Sequence, residues 1–167
     1  MKNNLLLEHL TYLKLNFFKT EHSALAQEAA AQQWGHIDYL ARLAEGEFNH
    51  QRERAVHRRI ANARFPVIKT LEQFRWDWPK KINRLQIQNL FRLEFIAKKA
   101  NVIFLGTVGL GKTHLATALG YAACLEGCNV LFANAIAVIN DLSAAEKAGL
   151  LKRELKKSLR PRLLILD

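Results

Sequence analysis

The sequence has few of the residues that cross-link a chain, make it flexible or hold it in a membrane. Its two cysteines, Cys124 and Cys128, are too few for a disulfide framework, and no histidine pair accompanies them at zinc-finger spacing. Eight glycines are too few for a flexible linker. No apolar run approaches the length of a membrane span, and the run Leu5–Leu7 is too short for the core of a signal peptide. We therefore predict a cytoplasmic protein with no membrane segment.

Acidic residues are scarce relative to basic ones. The 167 residues include 25 Lys and Arg against 15 Asp and Glu, a formal net charge of +10. Residues 1–100 carry 17 Lys and Arg and 10 Asp and Glu, a net of +7, and the other residues carry 8 and 5, a net of +3. Since half of the residues are hydrophobic, a packed core can form. The charge excess favours a polyanion, above all nucleic acid, as partner.

The first hundred residues have the patterns of helices. Apolar residues recur at helical spacing in the first segment, at Leu6, Leu10, Leu13 and Phe17. Residues 24–31 are rich in alanine, which favours helix, and residues 37–63 form a longer amphipathic stretch. Asn83 and Gln86 resemble a capping box, and the apolar stripe after it predicts one helix that extends to Ala97.

Arginines are concentrated near the end of the stretch 37–63. The candidates there are Arg52, Arg54, Arg58, Arg59 and Arg64, with Glu53 the only acid among them. Guanidinium groups on one side of a helix can bind DNA phosphates, but such a run can equally be a solvated helix face. Lys80, Lys81 and Arg84 extend the candidate DNA contacts beyond the Trp76–Pro79 segment, whose tryptophans we expect to pack rather than to stack on bases.

A glycine-rich loop follows a short apolar run, residues 101–105, which is predicted to be a strand. The loop reads Gly106-Thr107-Val108-Gly109-Leu110-Gly111-Lys112-Thr113, and an apolar helix face comes after it. This is the spacing of a phosphate-binding loop: glycines let main-chain amides surround a polyphosphate, and the following helix points its positive end at the anion. Lys112 supplies charge, and the Thr113 hydroxyl suits Mg²⁺. His114 either neighbours the nucleotide or is simply an exposed helix residue.

The remaining chain alternates predicted strands and helices. A strand at residues 130–133 precedes a helix at 135–142, a second capping box at Ser143 and Glu146, and a helix at 150–159. Residues 163–166 form a continuous apolar run, as a buried parallel strand does. The run ends at Asp167, whose carboxylate resembles the Walker B acid that reaches Mg²⁺. The order predicts an α/β fold, a P-loop NTPase with a parallel sheet after a helical region.

From Phe104 to Gly120 the chain closely resembles the IstB-type transposition helper ATPases, and residues 163–167 resemble their Walker B strand. This resemblance covers nearly the whole chain. It implies an AAA+-like core in which Gly106 to His114 bind ATP while Thr113 and Asp167 serve Mg²⁺. It also implies a homo-oligomer on duplex DNA, with weak sequence preference, that assists a partner transposase. A DnaC-type helicase loader and a non-enzymatic DNA-binding remnant are the alternatives.

The family pattern continues after Asp167 with an acid that activates the attacking water. It also has a later strand between the P-loop strand and the Walker B strand. We therefore expect an incomplete sheet with unpaired backbone groups beside the Walker B strand, and either a truncated gene product or a partial sequence, with impaired hydrolysis. We divide the chain into a basic helical region, residues 1–82, and the first part of an ATPase core, residues 83–167.

Overall fold

Helices dominate the computed structural model, which describes residues 2–77 and 82–167. Within these residues the elements are α1 Lys2–Tyr12, α2 Asn16–Ala31, α3 His36–Ala63, α4 Arg84–Leu90, α5 Glu94–Ala97, α6 Lys112–Leu125, β1 Val130–Ala133, α7 Ala135–Lys147, α8 Leu151–Leu159 and β2 Leu163–Leu166. The chain divides into two units, Met1–Ala55 and Val56–Asp167, and the division falls inside α3. Our proposed boundary after residue 82 stays a prediction.

A buried carboxylate organises the first unit. Glu47 on α3 is 5 % exposed, and its Oε2 accepts hydrogen bonds from the amides of Phe17 and Phe18 at 2.8 and 3.4 Å. These amides open α2, where the N-cap residue Leu15 has no polar side chain to offer. Glu47 therefore caps α2 from another helix, and its negative charge suits the positive end of α2.

The break between α1 and α2 corrects one sequence prediction. The spacing from Leu6 to Phe17 predicted one continuous helix, but α1 ends at Tyr12 and Lys14 adopts a left-handed conformation, with φ 58°. The Leu15 amide then bonds the Leu10 carbonyl at 3.0 Å, which closes the end of the helix. The periodicity did not reveal the break because the apolar spacing continues through the turn, while the Glu47 cap at the start of α2 lies 30 residues away.

The second unit is a two-stranded parallel sheet covered by helices. β1 pairs with β2 in the register Val130 to Leu163, and α6 packs on both strands. The core includes buried Ala63, Ala123, Cys124, Val130 and Ile165. The predictions of both strands and of α8 are confirmed within one residue at each end, and the helix predicted after the loop forms as α6. The α/β fold class is also confirmed.

Local capping signals were correct in two places and wrong in one. The Asn83 side chain accepts a hydrogen bond from the Gln86 amide at 3.0 Å and opens α4. Gly127, a residue type that favours the end of a helix, has φ 83° and follows α6 as its position in the sequence predicts. The second capping box is wrong, because Ser143 lies inside α7, which ends at Lys147. Neighbouring alanines favour helix there.

The helix predicted from the capping box to Ala97 is also divided. It ends at Leu90, and Leu93 adopts a left-handed conformation, with φ 59°, before the short helix α5. The amide of Leu93 bonds the Leu90 carbonyl at 2.9 Å. The apolar spacing therefore continues in sequence across a turn. Both short helices contribute apolar residues to the core of the second unit.

The strand predicted at residues 101–105 does not form among the described residues. The segment has no ladder partner, and Ile103 and Leu105 are 76 % and 89 % exposed. A cavity of about 460 Å³ separates residues 100–104 from β2. A strand needs a neighbour to pair its amides and carbonyls, and none lies beside this segment. The expected gap next to the Walker B strand is thus present.

Candidate nucleotide-binding site

The glycine-rich loop lies directly before α6. Gly109 and Gly111 have φ values of 84° and 81°, a left-handed conformation that disfavours any residue with a side chain. A Cβ atom on Gly111 would also lie 2.7 Å from the Phe74 ring, so this position excludes side chains twice. The loop surface is open, and Val108 at its tip is 97 % exposed. The main-chain amides therefore remain accessible to a ligand.

Lys112 is the first residue of α6, and its side chain turns back over the loop. Its Nζ donates a hydrogen bond to the Thr107 carbonyl at 2.8 Å. The ammonium group thus lies at the mouth of the loop, on the side where the helix directs its positive end. An anion bound by the loop would meet a full positive charge there.

Thr113 and Asp167 meet across 54 residues of sequence. The Thr113 Oγ1 donates to the two carboxylate oxygens of Asp167, at 2.9 and 3.1 Å. The Asp167 backbone is held in turn, because its amide bonds the Ala133 carbonyl at 3.1 Å and its carbonyl accepts from the Ala135 amide at 2.9 Å. The carboxyl ends of β1 and β2 therefore fix the carboxylate beside the loop.

The hydroxyl and carboxylate oxygens are hard donors, the ligand type that Mg²⁺ prefers. In residues 2–77 and 82–167 no group of three or more His, Cys, Asp or Glu could hold a metal. The pair Thr113–Asp167 alone does not complete an octahedral shell, so phosphate oxygens and water would have to supply the rest. This donor set fits Mg²⁺ in company with a polyphosphate rather than a separate protein-bound metal.

His114 faces a part of the site that the sequence did not reveal. Its Nε2 lies 2.9 Å from the Thr70 carbonyl, and its ring packs edge-on against Phe74 with centroids 5.4 Å apart. His114 and Phe74 line a cavity of about 430 Å³ whose lining also includes Gly109 and Gly111. No motif in the connector 64–77 predicted this, since its residues reach the loop only through tertiary packing.

The predicted DNA contacts belong to several elements, and of these contacts Arg59 and Arg64 line one pocket. Arg52 and Arg54 are exposed on the part of α3 in the first unit, and Arg58 is exposed on the part in the second. Arg59 is half-buried, Arg64 follows the end of α3 with φ 59°, and the guanidinium of Arg84 lies 4.9 Å from the centroid of the Trp76 ring. Lys80, Lys81 and part of the Trp76–Pro79 segment lie outside the described residues.

Trp76 itself packs as the sequence analysis favoured. It is half-buried and meets Phe74 edge-on, with ring centroids 5.1 Å apart.

None of the helices in the described part of the chain is long and apolar enough to cross a membrane.

Comparison with known proteins gives a consistent result. The family model described as IstB-like ATP binding protein matches residues 8–167. A protein from Pseudomonas aeruginosa, named as an ATP-binding protein of insertion sequence IS21, is 35 % identical over 95 % of this chain and 60 % of its own length. A Geobacillus stearothermophilus protein, named for insertion sequence IS5376, is 31 % identical over 96 % of this chain and 64 % of its own. The chain therefore spans a little under two thirds of the length of these relatives.

Proposed function

The chain belongs to the family of IstB-like ATP-binding proteins, and from that premise we propose that it is an ATP-binding helper of insertion-sequence transposition. The observation that carries the nucleotide site is the contact of the Thr113 hydroxyl with Asp167. This contact joins the end of the glycine loop to the carboxyl end of β2. A metal ion bound to phosphate there would need the Thr113 hydroxyl and the Asp167 carboxylate as ligands. The names of the relatives, which refer to ATP and to insertion sequences, support the same function.

ATP would bind with its phosphates in the loop from Gly106 to Thr113. Lys112 would exchange the Thr107 carbonyl for the outer phosphates, since a phosphate oxygen accepts a stronger, charge-assisted hydrogen bond. Thr113 and Asp167 would hold Mg²⁺, which supplies positive charge next to the phosphates. The cavity beside His114 and Phe74 begins at the loop glycines and has room for the nucleoside.

Loss of the ammonium group tests this site. We expect Lys112→Ala to weaken binding of a fluorescent ATP analogue at least a hundredfold in a titration with Mg²⁺, because a charge-assisted contact to phosphate is lost. Lys147→Ala, at the exposed end of α7, removes the same charge away from the loop and should leave the affinity unchanged. Equal affinities of wild type and Lys112→Ala would refute the assignment of the loop.

A second variant separates the metal from the phosphates. Thr113→Val keeps the shape of the side chain but removes the hydroxyl. We expect it to lose most of the gain in ATP affinity that Mg²⁺ gives the wild type, while binding measured in EDTA stays similar. An unchanged Mg²⁺ dependence would remove Thr113 from the metal site and leave the phosphate loop standing.

The helper is also proposed to bind duplex DNA in the cytoplasm, to form homo-oligomers and to assist a partner transposase. The exposed arginines Arg52, Arg54 and Arg58 and the net charge of +10 support the DNA contact. Capture of a transposase rather than a replicative helicase would separate this function from helicase loading. Impaired hydrolysis of the bound ATP stays a prediction, and the rate of phosphate release measures it.

DNA binding without ATP chemistry is the second candidate. It predicts duplex binding that needs no nucleotide, weakens steeply with salt and is lost when Arg54, Arg58 and Arg59 are neutralised. If Lys112→Ala abolishes ATP binding but leaves DNA binding intact, the two activities are independent. If ATP does not bind even to the wild type, this second function alone remains.

A further inference from the structure

A cationic pocket lies at the amino ends of β1 and β2. It has a volume of about 530 Å³, and the charged residues that line it are Arg59, Arg64, Lys157 and Arg160. No acidic residue lines it; the other lining groups are apolar or carry side-chain amides. Four positive charges therefore surround one space, an arrangement that favours an anion.

The fold, not the sequence, brings these cations together. Arg59 and Arg64 belong to the end of α3, whereas Lys157 and Arg160 lie almost a hundred residues later at the end of α8. Ala63, between the two arginines, is fully buried in the core beneath β1. The amide of Arg162 bonds the Asn129 carbonyl at 2.8 Å, so the residues after α8 are tied to the start of β1.

Most of this charge has no ion-pair partner among the residues that the structure describes. In residues 2–77 and 82–167 the ion pairs are Arg75–Asp77, Lys98–Glu94 and Lys157–Glu154. Only Lys157 of the four pocket cations is among them, with Glu154 Oε2 at 2.7 Å. Three guanidinium groups thus line one pocket with no carboxylate, and each offers the planar pair of donors that suits a phosphate.

The pocket and the phosphate loop lie at opposite ends of the two parallel strands. The loop meets Asp167 at the carboxyl ends of the strands, and the pocket meets Asn129 and Val130 at the amino end. Each strand has four residues, so roughly 10 Å separates the amino and carboxyl ends of the strands. A ligand in the pocket would not compete with a nucleotide in the loop.

We propose that this pocket binds a backbone phosphate of duplex DNA. The inference rests on the proposed function, that the chain binds DNA, and it assigns that contact to a site of the second unit. Arg58 and Arg162 are exposed and directly adjoin, in sequence, the lining residues Arg59 and Pro161, so the chain offers further positive charge next to the pocket residues. Contacts of this kind position a protein on DNA without reading its sequence.

Arg64 offers a variant that tests the pocket without harming the fold. Its φ of 59° is a conformation that glycine adopts more easily, so Arg64→Gly removes the guanidinium while relieving the backbone. Lys99→Gly is the matched control: Lys99 has φ 52°, carries the same charge and does not line the pocket. Thermal unfolding of both variants checks that each remains folded.

The measurement is fluorescence anisotropy of a labelled 20-base-pair duplex, without nucleotide, at several salt concentrations. We expect Arg64→Gly to weaken binding about tenfold and to reduce the slope of log affinity against log salt by about 0.9, the value for one lost phosphate contact. Lys99→Gly should change the affinity less than about twofold and leave that slope unchanged. A pair on α8, Arg160→Gln against Lys156→Gln, should behave in the same way.

Four other results would each overturn the proposal. Equal losses in Arg64→Gly and Lys99→Gly would mean that only net charge matters. Stabilisation of the wild type by inorganic phosphate that is lost in Arg64→Gly, with unchanged DNA binding, would identify a small-anion site. A wild type that does not bind DNA at all would refute the proposed DNA function itself, while a wild type that binds and variants that match it would refute only the pocket.

Discussion

Two apolar segments of similar composition lead into the candidate site, and only one of them is a strand. Residues 163–166 pair with β1, and Ile165 is 9 % exposed. Residues 101–105 have no ladder partner in the described part of the chain, and Ile103 is 76 % exposed. Apolar and β-branched residues thus permit a strand without being sufficient for one. The difference is a neighbour, because each strand must satisfy its backbone polar groups and cover its side chains.

The strongest test of this comparison is truncation of the buried isoleucine. We expect Ile165→Ala to lower the free energy of unfolding by about 3 kcal/mol, since it removes buried methyl groups and leaves a cavity in the core. Chemical denaturation followed by circular dichroism measures the change. A loss below about 1 kcal/mol would mean that the core does not depend on β2.

The thiol beneath the paired strands gives a pH test. Burial raises the pKa of Cys124 to about 11, and the Arg59 guanidinium opposes part of that rise. The unfolded thiol ionises near its ordinary pKa of 9.0. The stability that the neutral, buried thiol contributes is therefore fully present below pH 9 and is lost as pH rises toward 11. We expect the wild type to lose ~2 kcal/mol more than Cys124→Ala between these pH values. Parallel losses in the two proteins would contradict this.

A smaller effect is expected where α6 crosses β2. A Cβ on Gly120 would lie 2.6 Å from Ile165 Cδ1 and 2.8 Å from the Phe65 ring. Gly120→Ala should therefore cost about 1 kcal/mol in the wild type, despite the better helix propensity of alanine. The cost should shrink in the Ile165→Ala background, where one clashing atom is gone. A double-mutant cycle measures the difference, and strict additivity would be evidence against this contact.

The smallest effect belongs to the unpaired segment. Ile103→Ala is the same substitution as at residue 165, but most of the side chain is already in water. We expect a change in the free energy of unfolding within about 0.5 kcal/mol, in the same denaturation experiment. A loss comparable with that of Ile165→Ala would show that residues 101–105 are packed as a strand in solution.

Much of this architecture can be predicted from the sequence where an element depends on residues that are neighbours in the chain. The Asn83 cap, Gly127 after α6 and the glycine loop each depend on residues within about four positions, and the structure has all three. The breaks at Lys14 and Leu93 were missed because an apolar stripe can continue through a turn. The cavity beside His114 was missed because the connector that forms it carries no motif.

The sequence by itself determined the phosphate loop, the excess of positive charge and the order of the elements that follow the loop. The tertiary structure alone decided which distant residues meet: Thr113 with Asp167, Glu47 with the start of α2, and Arg64 with Arg160 around one pocket. The reason is physical. Propensities and caps act over a turn or two of chain, whereas these contacts depend on how helices and strands bury their apolar faces against one another.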